Sequence, residues 1–349
     1  MSNNHKVRFG LVGAGGIAQA YAQAFEACET GRIVAVADVR IDAARALGER
    51  LECPSFDSHT AMTRKVKLDA ALVCTPPVSH ADICIDLLEQ GIHVLCEKPL
   101  AIDVKSARAM LDSARRANVR LTMGSKFRYV DDVIRAKSIV TSGILGEIIL
   151  FENAFTSRVD MSSRWNSNPD VSGGGVLVDN GSHSVDLMRY FLGPLADVQV
   201  VEGKRVQGLA VEDTVRIFVR SVTGVMGSID LSWSISKELD SYINIYGSHG
   251  TISVGWKESK YRQSSSRDWV VFGKGYDKVQ AFRSQINNFA RAIRGEELLL
   301  ISAEDALASV EVVQAARDSL RGDHWTAISR KFARNGKSNG HTVAAVGVS

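Results

Sequence analysis

A lysine, two carboxylates and an imidazole stand out in this chain of 349 residues because their spacing could bring acid and base chemistry together. Asp179, His183 and Asp186 close the run Gly173-Gly174-Gly175-Val176-Leu177-Val178-Asp179-Asn180-Gly181-Ser182-His183-Ser184-Val185-Asp186. On a helix they sit at i, i+4 and i+7, so all three share one face. A carboxylate one turn from an imidazole can fix its tautomer and raise its basicity, as a general base taking a hydroxyl proton requires. The same pattern also fits a capping Asp with a satisfied buried His, or a metal face. The glycines ahead of it suit close backbone approach by a ligand. Lys98 stands in Glu97-Lys98-Pro99, at the end of an apolar run from Val94. It reads either as a surface ion pair with Glu97 or as a cation placed to stabilise a developing alkoxide.

A second set of residues suits a nucleotide. Gly13-Ala14-Gly15-Gly16-Ile17-Ala18 follows the first apolar run and opens the first helical pattern. Gly13 permits a tight turn, Gly15 and Gly16 let backbone approach a pyrophosphate before Ile17, and small Ala18 lets helix and strand pack. Asp38 ends the second strand, where a carboxylate accepts both ribose hydrogen bonds and repels a 2′-phosphate. The expected cofactor is therefore NAD; Arg40, close by, keeps NADP open. Thr75-Pro76-Pro77-Val78-Ser79-His80 follows a third apolar run, and Thr75, Pro76 and His80 are placed to meet cofactor, although a rigid turn gives the same pattern.

The elements that must position these groups follow from hydrophobic period. Val7 to Val12, Ile33 to Ala37, Ala70 to Cys74, His93 to Cys96 and Arg120 to Met123 alternate with amphipathic stretches, which implies a parallel sheet covered by helices. Asp103 is the expected N-cap of a helix from Val104 to Ala117. Beyond residue 125, Ile148 to Phe155, Val198 to Glu202, Thr214 to Val222, Val225 to Ser234, Tyr242 to Tyr246 and Thr251 to Val254 alternate with period two, as an antiparallel sheet with one open face does. Ser259 to Arg267 reads as a polar loop. Two helices are expected last, Val279 to Arg294 and Ala303 to Leu320, the second capped by Ser302 and ended by Gly322. The expected division is a nucleotide-binding domain over 1–125, a substrate-binding and oligomerisation domain over 126–330, and a mobile tail over 331–349.

Composition narrows the partners. Lys and Arg total 42 against 39 Asp and Glu, scattered except for Arg330, Lys331, Arg334 and Lys337, which argues against nucleic acid or membrane partners. The five cysteines, Cys28, Cys53, Cys74, Cys84 and Cys96, are odd in number and lack C-x-x-C spacing. They read as reduced core residues of a cytoplasmic protein.

Together, G-A-G-G-I-A at 13–18, Asp38, T-P-P-V-S-H at 75–80, E-K-P at 97–99 and the run 173–186 resemble the glucose-fructose oxidoreductase, inositol dehydrogenase and rhizopine-catabolism family, Gfo/Idh/MocA. The resemblance implies an α/β fold: an N-terminal Rossmann domain and a C-terminal α/β domain with a large open, mainly antiparallel sheet whose outer face joins subunits into a homodimer or homotetramer. It implies an NAD-dependent enzyme moving hydride to or from a carbinol carbon of a sugar, sugar derivative or cyclitol. Glu97 and Lys98 are then expected to meet the cofactor, with Lys98 between nicotinamide and substrate; Asp179 orients His183, and His183 is the acid/base; no metal is expected. The bond before Pro99 is often cis in such enzymes. Lys126, Arg128, Arg164 and Trp165 are the further candidates for substrate contact, the last two as a clamp and stacking pair. Two departures appear: Pro77 stands where Asn is common, and Lys126-Phe127-Arg128-Tyr129 matches the usual Arg-bearing segment only loosely. An NAD-using glycosidase without net redox change and an NAD(H)-binding sensor are the alternative functions.

Overall fold

A computed structural model describes residues 6–328. The tail expected over 331–349, with the basic cluster from Arg330, lies outside the described residues.

The first sheet has six parallel strands: β1 (Val7–Val12), β2 (Gly31–Ala37), β3 (Ser55–Phe56), β4 (Ala70–Val73), β5 (His93–Glu97) and β6 (Leu121–Gly124). Their spatial order is β3-β2-β1-β4-β5-β6, so the chain reverses its direction of travel at β1 and β4 and opens a crevice beyond their carboxyl ends. Helices α1 (Gly16–Glu26), α2 (Ile41–Arg50), α3 (His59–Lys65), α4 (His80–Glu89) and α5 (Val104–Arg116) make the crossovers. Strand β4 is apolar at every position because helices cover both of its faces, and all of its side chains are buried. Asp103 caps α5 as expected, accepting from the Ser106 N–H at 2.7 Å.

After α6 (Asp131–Thr141), which the apolar spacing does not announce, come β7 (Ile148–Thr156), the single turn α7 (Pro169–Ser172) and α8 (Val176–Leu192). The strands β8 (Leu195–Glu202), β9 (Thr214–Ser221), β10 (Met226–Ser232), β11 (Ser241–Gly247), β12 (Gly250–Gly255), β13 (Ser259–Gln263), β14 (Val270–Gly273) and β15 (Thr326–Ala327) complete a nine-stranded sheet with β7. Its order is β14-β13-β12-β11-β7-β10-β9-β8-β15; β7 and β10 are parallel and the other neighbours antiparallel. The segment expected to be a polar loop is largely β13. Its residues carry no apolar alternation, and it is a strand because it pairs with β12 on one edge and β14 on the other. In β9, Val215, Ile217 and Val219 enter the core while Arg216, Phe218 and Arg220 face out. That outer face is laced by ion pairs, Arg216 to Asp230 at 2.5 Å and Arg220 to Asp197 at 3.2 Å.

The last helices are α9 (Lys278–Ile293) and α10 (Ala303–Gly322). Asp277 caps the first by accepting from the Val279 and Gln280 N–H groups, and Ser302 caps the second by accepting from Asp305 N–H at 3.1 Å. Gly322 is the final helical residue; Asp323, at φ +50°, makes the left-handed turn that was expected of a glycine. Although both follow the large sheet, they bind it to the first unit. Phe282 of α9 packs on Tyr21, and Phe289 on Phe9. Ala306 and Leu307 of α10 enter the core of the first unit, Val312 and Ala316 that of the second. Among the described residues no helix is long and apolar enough to cross a membrane.

Candidate active site

The nucleotide loop has the form its sequence demands. Gly13 has φ +93°, and a Cβ there would stand 2.8 Å from the backbone of Cys74. No other residue suits that turn. Cβ atoms on Gly15 or Gly16 would meet nothing within 4 Å, so open space lies before the start of α1. The cap of α1 receives no side-chain hydrogen bond, which leaves its first N–H groups for an anion. Buried Ala18 packs the helix on the sheet. Asp38 lies at the end of β2 and accepts from Ala14 N–H at 2.7 Å and from Arg40 N–H at 2.8 Å. It therefore braces the glycine loop as well as standing where a ribose is expected. The Arg40 side chain extends into solvent. Open glycines, free N–H donors and a carboxylate beyond them fit an adenine dinucleotide.

Ile17, on the first turn of α1, also lines a second cavity of about 340 Å³, so the glycine loop runs on into it. Lys98, Asp179 and His183 form one wall of this cavity. Lys98 leaves the end of β5 before a cis bond to Pro99, and its Nζ donates to Asp179 Oδ1 at 2.5 Å and to the Asp179 carbonyl at 3.0 Å. Of the two readings of Lys98, the ion pair with Glu97 does not occur. Glu97 is buried: its Oε1 accepts from the Tyr21 hydroxyl at 2.8 Å and its Oε2 from the Lys98 N–H at 3.0 Å. Burial pushes the Glu97 carboxyl up, against the pull of Lys98, Tyr21 and Lys126.

His183 is 8% exposed and meets the Phe127 ring edge to face at 5.0 Å. The expectation that Asp179 orients it is not met, since the carboxylate turns to Lys98 instead. Nδ1 of His183 is sealed without a partner, which leaves Nε2 to face the cavity. Its basicity is lowered rather than raised: burial, then the charges of Lys98 and Lys126, hold the imidazole well below its usual value and keep it neutral. Asp186 also departs from the shared face. It is fully buried and paired with Arg128 at 2.8 Å, while Ser125 donates to it at 2.7 Å.

Several other candidates are structural. Arg128 is 3% exposed and bound to Asp186 and Asp305, so its guanidinium ties α8 to α10 and is withheld from substrate. His80 is fully buried between two carbonyl oxygens, those of Pro99 at 2.9 Å and Thr75 at 2.8 Å. It joins the Thr75-Pro76 loop to the turn after Lys98, and it has no ring nitrogen left for cofactor. Arg164 and Trp165 sit on an exposed turn and do not line the cavity. The triple glycine also serves the protein. Gly173, at φ +80°, closes α7, and a Cβ on Gly175 would fall 2.2 Å from the Glu212 carbonyl oxygen. There the Glu212 carboxylate accepts from Gly175 and Leu177 N–H at 3.0 and 3.1 Å, capping α8 from another strand connection.

Residues that spacing does not reveal complete the cavity. Phe127, Phe155 and Trp256 form an aromatic wall, and Thr156, Ser157 and Asn180 add polar groups. Trp256 follows β12, far from His183 in sequence, and no local pattern marks it. Among the described residues, no group of three or more His, Cys, Asp or Glu is placed to hold a metal.

The doubly wound sheet, its dinucleotide loop and a second, sheet-backed unit sharing one cleft define a class, the two-domain pyridine-nucleotide oxidoreductases. Comparison with known proteins makes this specific. A model described as "Oxidoreductase family, NAD-binding Rossmann fold" matches residues 7–125, and one described as "GFO/IDH/MocA C-terminal domain" matches residues 133–253. The chain belongs to the Gfo/Idh/MocA family of NAD-binding oxidoreductases. It is 27% identical over 330 residues to inositol 2-dehydrogenase of Rhizobium meliloti (strain 1021), covering 89% of this chain and 96% of that protein. It is 35% identical over 191 residues to D-glucoside 3-dehydrogenase of Escherichia coli (strain K12), 54% of each chain. In fold it resembles levoglucosan dehydrogenase in complex with NADH and levoglucosan, with a TM-score of 0.86 at 20% identity over 93% of this chain and all of that one.

Proposed function

We propose that this enzyme oxidises or reduces one carbinol carbon of a polyhydroxylated ring, a sugar, sugar derivative or cyclitol, in the cleft between its two sheets. The observation that carries the reading is the Lys98 to Asp179 contact, made inside a cavity continuous with the dinucleotide loop. Relatives named for inositol and for glucoside oxidation support the substrate class. We divide the labour as residues 1–125 for nucleotide and 126–330 for substrate.

When bound, NAD supplies the hydride acceptor at nicotinamide C4. The chain's residues hold the substrate and handle its proton. Lys98, fixed by Asp179, directs its ammonium into the cleft and stabilises negative charge on the reacting oxygen. Asp179 is thus a positioning residue for Lys98 and not for His183. Neutral His183 takes the hydroxyl proton at Nε2; in the reductive direction it returns that proton to the carbonyl oxygen. Trp256, Phe127 and Phe155 exclude water and give the C–H face of a ring something to stack on. Asp38 selects the unphosphorylated ribose. The outer face of the nine-stranded sheet joins copies of the chain into a dimer or tetramer, and the five free cysteines suit a reducing, cytoplasmic setting.

The test is His183→Ala. Turnover should fall by about 10² to 10⁴, while the NADH dissociation constant, read by fluorescence titration, stays close to wild type. Equal losses in both would remove His183 from proton transfer.

A further inference from the structure

Lys98 and Asp179 satisfy each other on one wall of the cavity and His183 is neutral, so the remaining charges on its walls belong to Glu97 and Lys126. Both oxygens of Glu97 already have donors, the Tyr21 hydroxyl and the Lys98 N–H. Lys126 is different. Among the described residues it makes no hydrogen bond and no ion pair. Its Nζ rests 5.2 Å from the Phe127 ring centre and 5.6 Å from that of Phe282, faces that attract a cation and accept none of its N–H groups in a strong bond. It opens the turn after β6, at the carboxyl end of a parallel strand, where open sheets meet their ligands. Lys126 is only partly buried and its Nζ is not sealed from the cavity, so its three donors stand open there to whatever can accept them.

We propose that Lys126 is an anion subsite: the ring substrate carries a carboxylate or phosphate that seats on Lys126 Nζ while its reacting hydroxyl sits at Lys98 and His183. This deepens the dehydrogenase reading of the cleft and rests on it. Burial brings the Lys126 ammonium down to about 8. Glu97 and Asp179 favour its charged form, and Lys98 and Lys278 oppose it. An incoming anion would restore the charge, so binding of such a substrate should weaken as pH rises through that value.

Calorimetric titration of NADH-loaded and cofactor-free protein with glucuronate, glucose 6-phosphate and glucose tests this. At neutral pH the better of the two anions should bind about tenfold or more tighter than glucose, the value of one charge-assisted hydrogen bond. Which anion wins separates carboxylate from phosphate. Lys126→Met should collapse that ratio and Lys126→Arg preserve it; the ratio should also shrink about one pH unit above the Lys126 value. Glucose binding as tightly as both anions would overturn the subsite. So would Lys126→Met weakening NADH by the same factor as the anions, which would assign the lysine to cofactor. Formation of NADH from neutral ring polyols without charge discrimination fails the subsite alone, whereas charge discrimination with no turnover of any ring polyol fails the dehydrogenase reading alone.

Discussion

At the residue scale the site works through groups held out of their ordinary states. Burial and two lysines keep His183 neutral at physiological pH. A base must be unprotonated to accept, and a depressed value means that protonation comes only at more acid pH. The oxidation rate should therefore be flat as pH falls from neutrality through the usual histidine range, and drop only well below 6.5. A kcat profile with its acid limb centred at or above the ordinary histidine value would show that another group takes the proton. Asp38 hydrogen-bonds the glycine loop at Ala14, and the proposed site gives it a second task, reading the ribose. Asp38→Ala should narrow the NAD over NADP preference and weaken both cofactors together; an unchanged ratio of kcat/KM values would show that Asp38 does not read the ribose.

At the scale of elements, α8 is the part whose placement decides the chemistry. It carries Asp179 and His183, and it is fixed at one end by Glu212 and further along by the Arg128, Asp186 and Asp305 cluster. Glu212→Ala leaves N–H groups of Gly175 and Leu177 buried without acceptors, which should cost about 1 to 3 kcal/mol in a denaturant melt. Arg128→Met leaves Asp186 without its counter-charge in the core and should cost about 3 to 5 kcal/mol. Neither residue reaches the cavity, so KM in the protein that remains folded should hold. A large rise in KM with an unchanged melt would return Arg128 to the substrate. These assignments explain the limits of reading the sequence. Asp179, His183 and Asp186 do share a helix, yet helical spacing says nothing of the partners that draw each one away. Asp179 goes to Lys98, Asp186 to Arg128, and the glycines accommodate Glu212; each contact joins residues tens of positions apart.

At the scale of the whole molecule, five of the six strands of the first sheet were legible because buried parallel strands carry apolar runs and glycines mark the loop after the first; β3, two residues long, has no such run. Strand β13 was not, because its sequence lacks alternation and its pairing partners create it. The role of α9 and α10 in binding the two units also escaped, since amphipathic period gives a buried face without saying against what. Assembly belongs to this scale. If the outer sheet face joins copies, sedimentation should show a dimer or tetramer, and reversing charge at both Arg216 and Arg220 should dissociate it. A monomer in the unmodified protein would remove that proposal.

The central claim is hydride transfer at a ring carbinol supported by Lys98 and His183. Its most direct test is to mix the protein with NAD and a panel of cyclitols, aldoses and their acidic derivatives, and to follow reduced nicotinamide by its near-ultraviolet absorbance. We expect a signal with one ring class that is lost in Lys98→Met and in His183→Ala while both variants still bind NADH. Release of free sugar from glycosides with no net NADH, or a signal that survives both substitutions, would contradict the account.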